Sequence, residues 1–226
     1  MLSADAVFKE ANNYDFDAVR DYLESGGEKD VYDVCGNSLL SALLSGYYTR
    51  VFDNDPEEIR FYAEHDNDDA FFTHVFRYCR MPLEDRPHPI GKQIEYLLEK
   101  GISLNAVSWE EAEKKQKFAP CVETPLMHAV EHRDLCMAEF LLKNGADPAQ
   151  KLFSDGKYDR IGYEDWLVEH MDVLIMNGDK GDSRMLDLEI TSLLMHYGPE
   201  QWEGGMCIEV DRENRRIKAR GLIMDH

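Results

Sequence analysis

No apolar run in the chain approaches the ~20 residues of a membrane span, so a spanning helix is excluded. The start, Met1-Leu2-Ser3-Ala4-Asp5-Ala6-Val7-Phe8, has neither a basic opening nor a long apolar stretch, and no signal peptide is expected. Basic residues are scarce. There are 25 against 45 acidic ones in 226 residues, a formal charge of -20. Such acidity repels phosphate and argues against nucleic acid and anionic membrane surfaces as partners. Cysteines are few and odd in number: Cys35, Cys79, Cys121, Cys136 and Cys207, with no C-x-x-C spacing. Neither a disulfide framework nor a cysteine zinc site follows, and reduced thiols in a cytoplasmic protein are the expectation.

What is present suffices for a sizeable core. Hydrophobic residues make up 43% and aromatics 11%, which excludes a wholly disordered chain and fits one globular domain or two small ones. Helical spacing prevails. Asp55-Pro56-Glu57-Glu58 joins an N-cap oxygen, a proline at the first helical position and acids at the positive end of the dipole. Thr124-Pro125 repeats the device before Leu126, Met127 and Val130, and Ser108-Trp109-Glu110-Glu111 has capping-box spacing. Strand signals gather at the end, where residues 206–210 and 217–223 flank Asp211-Arg212-Glu213-Asn214 as one hairpin.

A motif of two apolar residues, two polar residues and often glycine recurs along the chain. It stands as Tyr22-Leu23-Glu24-Ser25-Gly26, Leu97-Leu98-Glu99-Lys100-Gly101 and Leu141-Leu142-Lys143-Asn144-Gly145. Weaker copies follow Tyr62 and Leu193. Two-helix units cannot bury their apolar faces alone, so the pattern predicts an all-α solenoid of about five stacked helix pairs. Glycine after each second helix suits a left-handed cap.

The segment Thr124-Pro125-Leu126-Met127-His128-Ala129-Val130 through Phe140-Leu141-Leu142-Lys143-Asn144-Gly145-Ala146-Asp147-Pro148 closely resembles an ankyrin repeat. Residues 33–41 look like the start of another, and residues 19–23 and 94–98 like second helices of others. Met127 departs from the usual histidine. The resemblance implies an ankyrin-like α-solenoid over residues 1–205, with units near 1–32, 33–68, 69–106, 107–150 and 151–200. A C-terminal β-hairpin over 206–226 belongs to no ankyrin pattern and is read as a cap. The resemblance also implies a non-catalytic protein–protein interaction module. Its variable surface positions fall on Glu123, Glu131, His132 and Asn144, and near Asn37, Ser45 and Gly46.

The residues give further candidates for partner binding. Residues 53–69 hold eight acids against Arg60 alone, Glu57, Glu58, Asp68 and Asp69 among them, an acidic docking patch for a basic partner or a solvated face. Asp66-Asn67-Asp68-Asp69 lacks the glycine and distant glutamate of a calcium loop. Long connections over 102–123 and 149–162 carry Trp109, Phe118 and Tyr158, aromatic anchors for an interface or covers folded over the stack. His128, His132 and Cys136 are spaced to share one helix face and could reach one metal. Without a glutamate directly after His128 the metalloprotease pattern is absent, and one core and one surface histidine are the expectation. No nucleophile, phosphate loop, cofactor or metal site emerges. Residues 211–220 hold five basic against two acidic residues, which suits either a cap or a contacting edge. The expectation is therefore a monomeric, non-enzymatic binder of a basic protein, of the inhibitor or immunity type. An intracellular scaffold or adaptor is the alternative reading, and an enzyme or metal protein the remaining one.

Overall fold

The computed structural model describes residues 2–53, 78–86, 88–108, 122–148, 150, 152–153, 160–161, 189–190, 192–194, 196–198, 206–211 and 216–221. Its body is helical. In chain order come α1 (Ala4–Asn12), α2 (Phe16–Glu24), α3 (Leu39–Tyr48), α4 (Ile90–Glu99), α5 (Pro125–Glu131) and α6 (Leu135–Lys143). A π-helical turn at Thr49–Asp53 follows α3, and a 3-10 turn at Leu83–Asp85 precedes α4. Further helical residues lie between 189 and 197. No described helix is long and apolar enough to cross a membrane.

The helix starts follow from side-chain capping. Ser3, Asp15, Ser38, Thr124 and Asp134 each accept a bond from a backbone N–H of the first turn, satisfying one orphan donor. Pro125 occupies the first position of α5, where its missing N–H costs nothing. The ends of α2, α4 and α6 pass into Gly26, Gly101 and Gly145, with φ of 88°, 85° and 96°, a region glycine enters without steric cost.

Two connections are built alike. Between α1 and α2, Tyr14 stands at φ 57° and Asp15 caps the next helix; between α5 and α6, Arg133 stands at φ 55° and Asp134 does the same. The backbone bonds match: Tyr14 N–H to Ala11 and Asp15 N–H to Glu10, against Arg133 N–H to Val130 and Asp134 N–H to Ala129. α1–α2 and α5–α6 thus share the same local turn geometry.

α3 packs against α1 on one side and α5 on the other. Its approach to α1 is close, because a Cβ at Gly46 would lie 2.5 Å from the Ala11 carbonyl oxygen. α4 lies beside α2, where Phe16 and Tyr96 meet edge to face at 5.5 Å and the Tyr96 hydroxyl donates to Glu24 at 3.3 Å. α3 also touches α4. α3 thus stands between α1 and α5, and α4 stands beside α2. One apolar core runs through them, including Val7, Leu40, Leu43, Ile94, Leu97, Leu126, Met137 and Leu141, with Ile190 and Leu194 joining it.

Two antiparallel strand pairs complete the described chain. β1 (Leu152–Phe153) pairs with β2 (Arg160–Ile161), within a segment the sequence reads as a long connection. β3 (Met206–Asp211) pairs with β4 (Arg216–Gly221), setting Glu209 opposite Lys218 and Asp211 opposite Arg216.

Candidate functional site

The N-terminus of α5 is held to the loop before α3 by a continuous set of bonds. Asp33 turns that loop, its carboxylate accepting from the backbone N–H of Cys35 at 2.8 Å and of Asn37 at 2.9 Å. Asn37 is thereby fixed, donating to Asp33 and accepting at its Oδ1 the Glu123 N–H at 2.8 Å. It also bridges to Val107 in antiparallel fashion, while Ser108 N–H donates to the Gly36 carbonyl. One loop further on, Asn105 donates to the Gly145 carbonyl and accepts from Asp147 N–H. Successive loops are stitched by asparagine side chains as well as by backbone.

Ser41, fully buried on α3, donates its hydroxyl hydrogen to the Glu123 carbonyl, which can only accept. The serine therefore accepts from His128, whose Nε2 lies 3.1 Å away, and this assigns the hydrogen to Nε2. The same nitrogen is 3.4 Å from Glu123 Oε2. Burial, with His132 nearby, lowers the His128 pKa to about 3, so the ring is neutral at ordinary pH. Burial and the neighbouring Glu123 carboxylate raise the pKa of Glu131. Glu123, His128 and Glu131 each offer a ligand atom, all within 4.8 Å of one another. Serine, histidine and glutamate do not form a nucleophilic triad here. The serine is closed to solvent, and the carboxylate sits on the same ring nitrogen as the hydroxyl, where a triad needs it on the other.

His132 is shaped by different contacts. Its Nδ1 donates to the His128 carbonyl at 2.9 Å, and its ring stacks on Tyr48 at 4.2 Å with planes 4° apart. His128, His132 and Cys136 share no donor cluster among the described residues. The helix expected to carry all three is broken: His128 stands on α5, His132 ends it, and Cys136 lies on α6 beyond the left-handed turn at Arg133, so the three share no single helix face, and His132 is turned to Tyr48. Of the surface positions marked from the sequence, Glu123, Glu131 and His132 surround the start and end of α5. Asn144 is tied to its own helix, donating to the Phe140 carbonyl at 2.8 Å. Glu57, Glu58, Asp68, Asp69, Trp109, Phe118 and Tyr158 lie outside the described residues.

A second buried polar group escaped sequence reasoning. Arg86 forms a two-armed bond to Asp134, Nη1 to Oδ2 and Nη2 to Oδ1, each at 2.6 Å, with neither side chain exposed. The guanidinium also donates to the Tyr47 hydroxyl and to the carbonyls of Met81 and Tyr78, and lies 4.7 Å over the Tyr78 ring. Tyr48 donates to Asp134 at 3.0 Å, and the hydroxyls of Tyr47 and Tyr78 bond to each other. Burial would discourage the charge on Arg86, but the bonds to Asp134 outweigh it and hold the pKa above its ordinary value. All these groups are engaged and buried, so the cluster fastens residues 78–86 to the α5–α6 turn and offers no open chemistry.

α5 and α6 form a helix pair with a Thr-Pro start, a left-handed inner turn and a glycine end. Residues 123–150 match the family model described as the ankyrin repeat. No curated protein and no solved structure matches the chain. The ankyrin repeat is a common protein–protein interaction module, and the matched segment contains α5 and α6.

Proposed function

We propose that the chain is a non-catalytic protein-binding module whose partner is basic, of the inhibitor or immunity type. The observation that carries this reading is the placing of Glu123, Glu131 and His132 at the two ends of α5, within the segment that matches an ankyrin repeat. The overall charge of -20 supports it, since complementary fields speed encounter. The first 70 residues, with 17 acids and 5 bases, extend the acidic character toward Glu57, Glu58, Asp68 and Asp69.

The same reading covers the architecture. We take residues 1–205 as a stack of ankyrin-like units and 206–226 as a hairpin cap over its end. Packing of α3 between α1 and α5, with α4 beside α2, favours one interrupted unit over residues 33–106, with 49–89 inserted between its helices. The boundary expected at 68/69 then falls within that insertion.

The test is affinity capture from the native source, followed by association kinetics at two salt concentrations. Reversal of Glu131 together with Glu57, Glu58, Asp68 and Asp69 to lysine should slow association markedly without altering the far-UV circular dichroism. Binding indifferent to both salt and reversal would overturn the basic-partner reading and turn attention to Trp109, Phe118 and Tyr158.

A further inference from the structure

We propose that Glu123, His128 and Glu131 bind a borderline divalent cation, zinc above all. Three donors from a loop and a helix already lie within 4.8 Å of one another. Around an ion with bonds of about 2.1 Å they would close to about 3.4 Å in tetrahedral geometry. That adjustment is small for Glu131, whose side chain is exposed.

The other two donors are held before any ion arrives. The Glu123 backbone is fixed at both ends, its N–H on Asn37 and its carbonyl under the Ser41 hydroxyl. His128 stands on α5, which Thr124 caps, and only 4% of the residue is exposed. A neutral imidazole set between two carboxylates is a mixed nitrogen–oxygen donor set. It suits zinc or manganese better than calcium or magnesium, which favour oxygen alone. Three protein ligands also leave a coordination position open for water or for a partner's side chain.

In the metal-free chain the Nε2 hydrogen is directed at Ser41. Loading requires the other neutral tautomer, with the hydrogen on Nδ1 and the Nε2 lone pair turned to the ion. Ser41 keeps its bond to the Glu123 carbonyl and loses only the bond it accepted. The site shares two carboxylates with the partner surface proposed above but stands on separate geometry, and its test uses no partner.

The experiment is isothermal titration of the full chain, stripped with chelator, with the chlorides of zinc, manganese, calcium and magnesium. Thermal unfolding with and without zinc accompanies it. The expected result is one zinc per chain, with a raised melting temperature and far weaker calcium and magnesium binding. Glu131→Gln should weaken zinc about tenfold or more while leaving the circular dichroism unchanged. Glu123→Gln should do the same, and replacing Cys35 and Cys136 by serine should change nothing. His128→Asn tests the buried ligand, and if it does not fold the exposed Glu131→Gln decides. Absence of saturable zinc binding to the wild-type chain overturns the proposal. So does equal affinity in the Glu123→Gln/Glu131→Gln double variant, which would move the ion elsewhere.

Discussion

Arg86 and Asp134 meet as a two-armed ion pair inside the protein, with both side chains shut off from water. Taking both charges out of water is costly, and the pair persists because nearly every lone pair and hydrogen finds a partner among Tyr47, Tyr48, Tyr78 and Met81. Removing one partner strands the other. Asp134→Asn is expected to cost about 3–5 kcal/mol in urea unfolding. Replacing both residues together by apolar ones, Arg86→Met with Asp134→Leu, should cost less than the single change. A double variant less stable than wild type by the sum of the Arg86→Met and Asp134→Leu losses would show that the two residues act independently.

Gly46 sets the distance between α1 and α3. A methyl group there would meet the carbonyl oxygens of Ala11 and Asn12 at 2.5 and 2.6 Å, backbone atoms with little room to yield. Gly46→Ala should lose about 1–3 kcal/mol, despite the better helix propensity of alanine. Equal or greater stability by thermal denaturation would mean that the helices separate at little cost.

Leu141 is wholly buried on the inner face of α6. Leu141→Ala should cost about 2–5 kcal/mol, the transfer loss plus the cavity left between helices. The same change at exposed Leu2 should be nearly silent, and the difference between the two in denaturant midpoint is the measurement.

His128 makes stability depend on acid. Its folded pKa of about 3 lies below the ordinary 6.5, so the unfolded chain binds the extra proton between those values. The contribution is present above pH 6.5 and is lost as pH falls toward 3, with a slope from this group approaching about 1.4 kcal/mol per pH unit. His128→Gln should flatten that limb in unfolding curves taken across pH 3 to 7, after allowance for its overall loss of stability. An unchanged slope would assign the acid sensitivity to other groups.

Local features were legible because their causes are local. Thr124-Pro125 caps and starts α5, and the glycines after the paired leucines end α2, α4 and α6 as their positions suggest. Residues 86 and 134 could not be joined from the chain, because no periodicity links an arginine in an irregular segment to an N-cap aspartate 48 positions away. A buried arginine has no sequence signal of its own; the tyrosines Tyr47, Tyr48 and Tyr78 looked like ordinary core. The pairing of helices around α3 was hidden for a related reason. Periodicity identifies helices but not which of them are neighbours. The helix start at Asp55-Pro56 lies outside the described residues.

In a plain solenoid each unit touches only the next, and the ends can melt while the middle survives. The segment between α3 and α4 alters that balance. Arg86, at its far end, is bonded to the cap of α6, so the middle of the chain is fastened to its neighbour by a contact that spans the seam. Loss of α6 strands a buried cation beside α3, and loss of residues 78–86 strands the aspartate that starts α6. Neither event is tolerable alone. α3, residues 78–86 and α6 are thereby coupled and are expected to lose structure together.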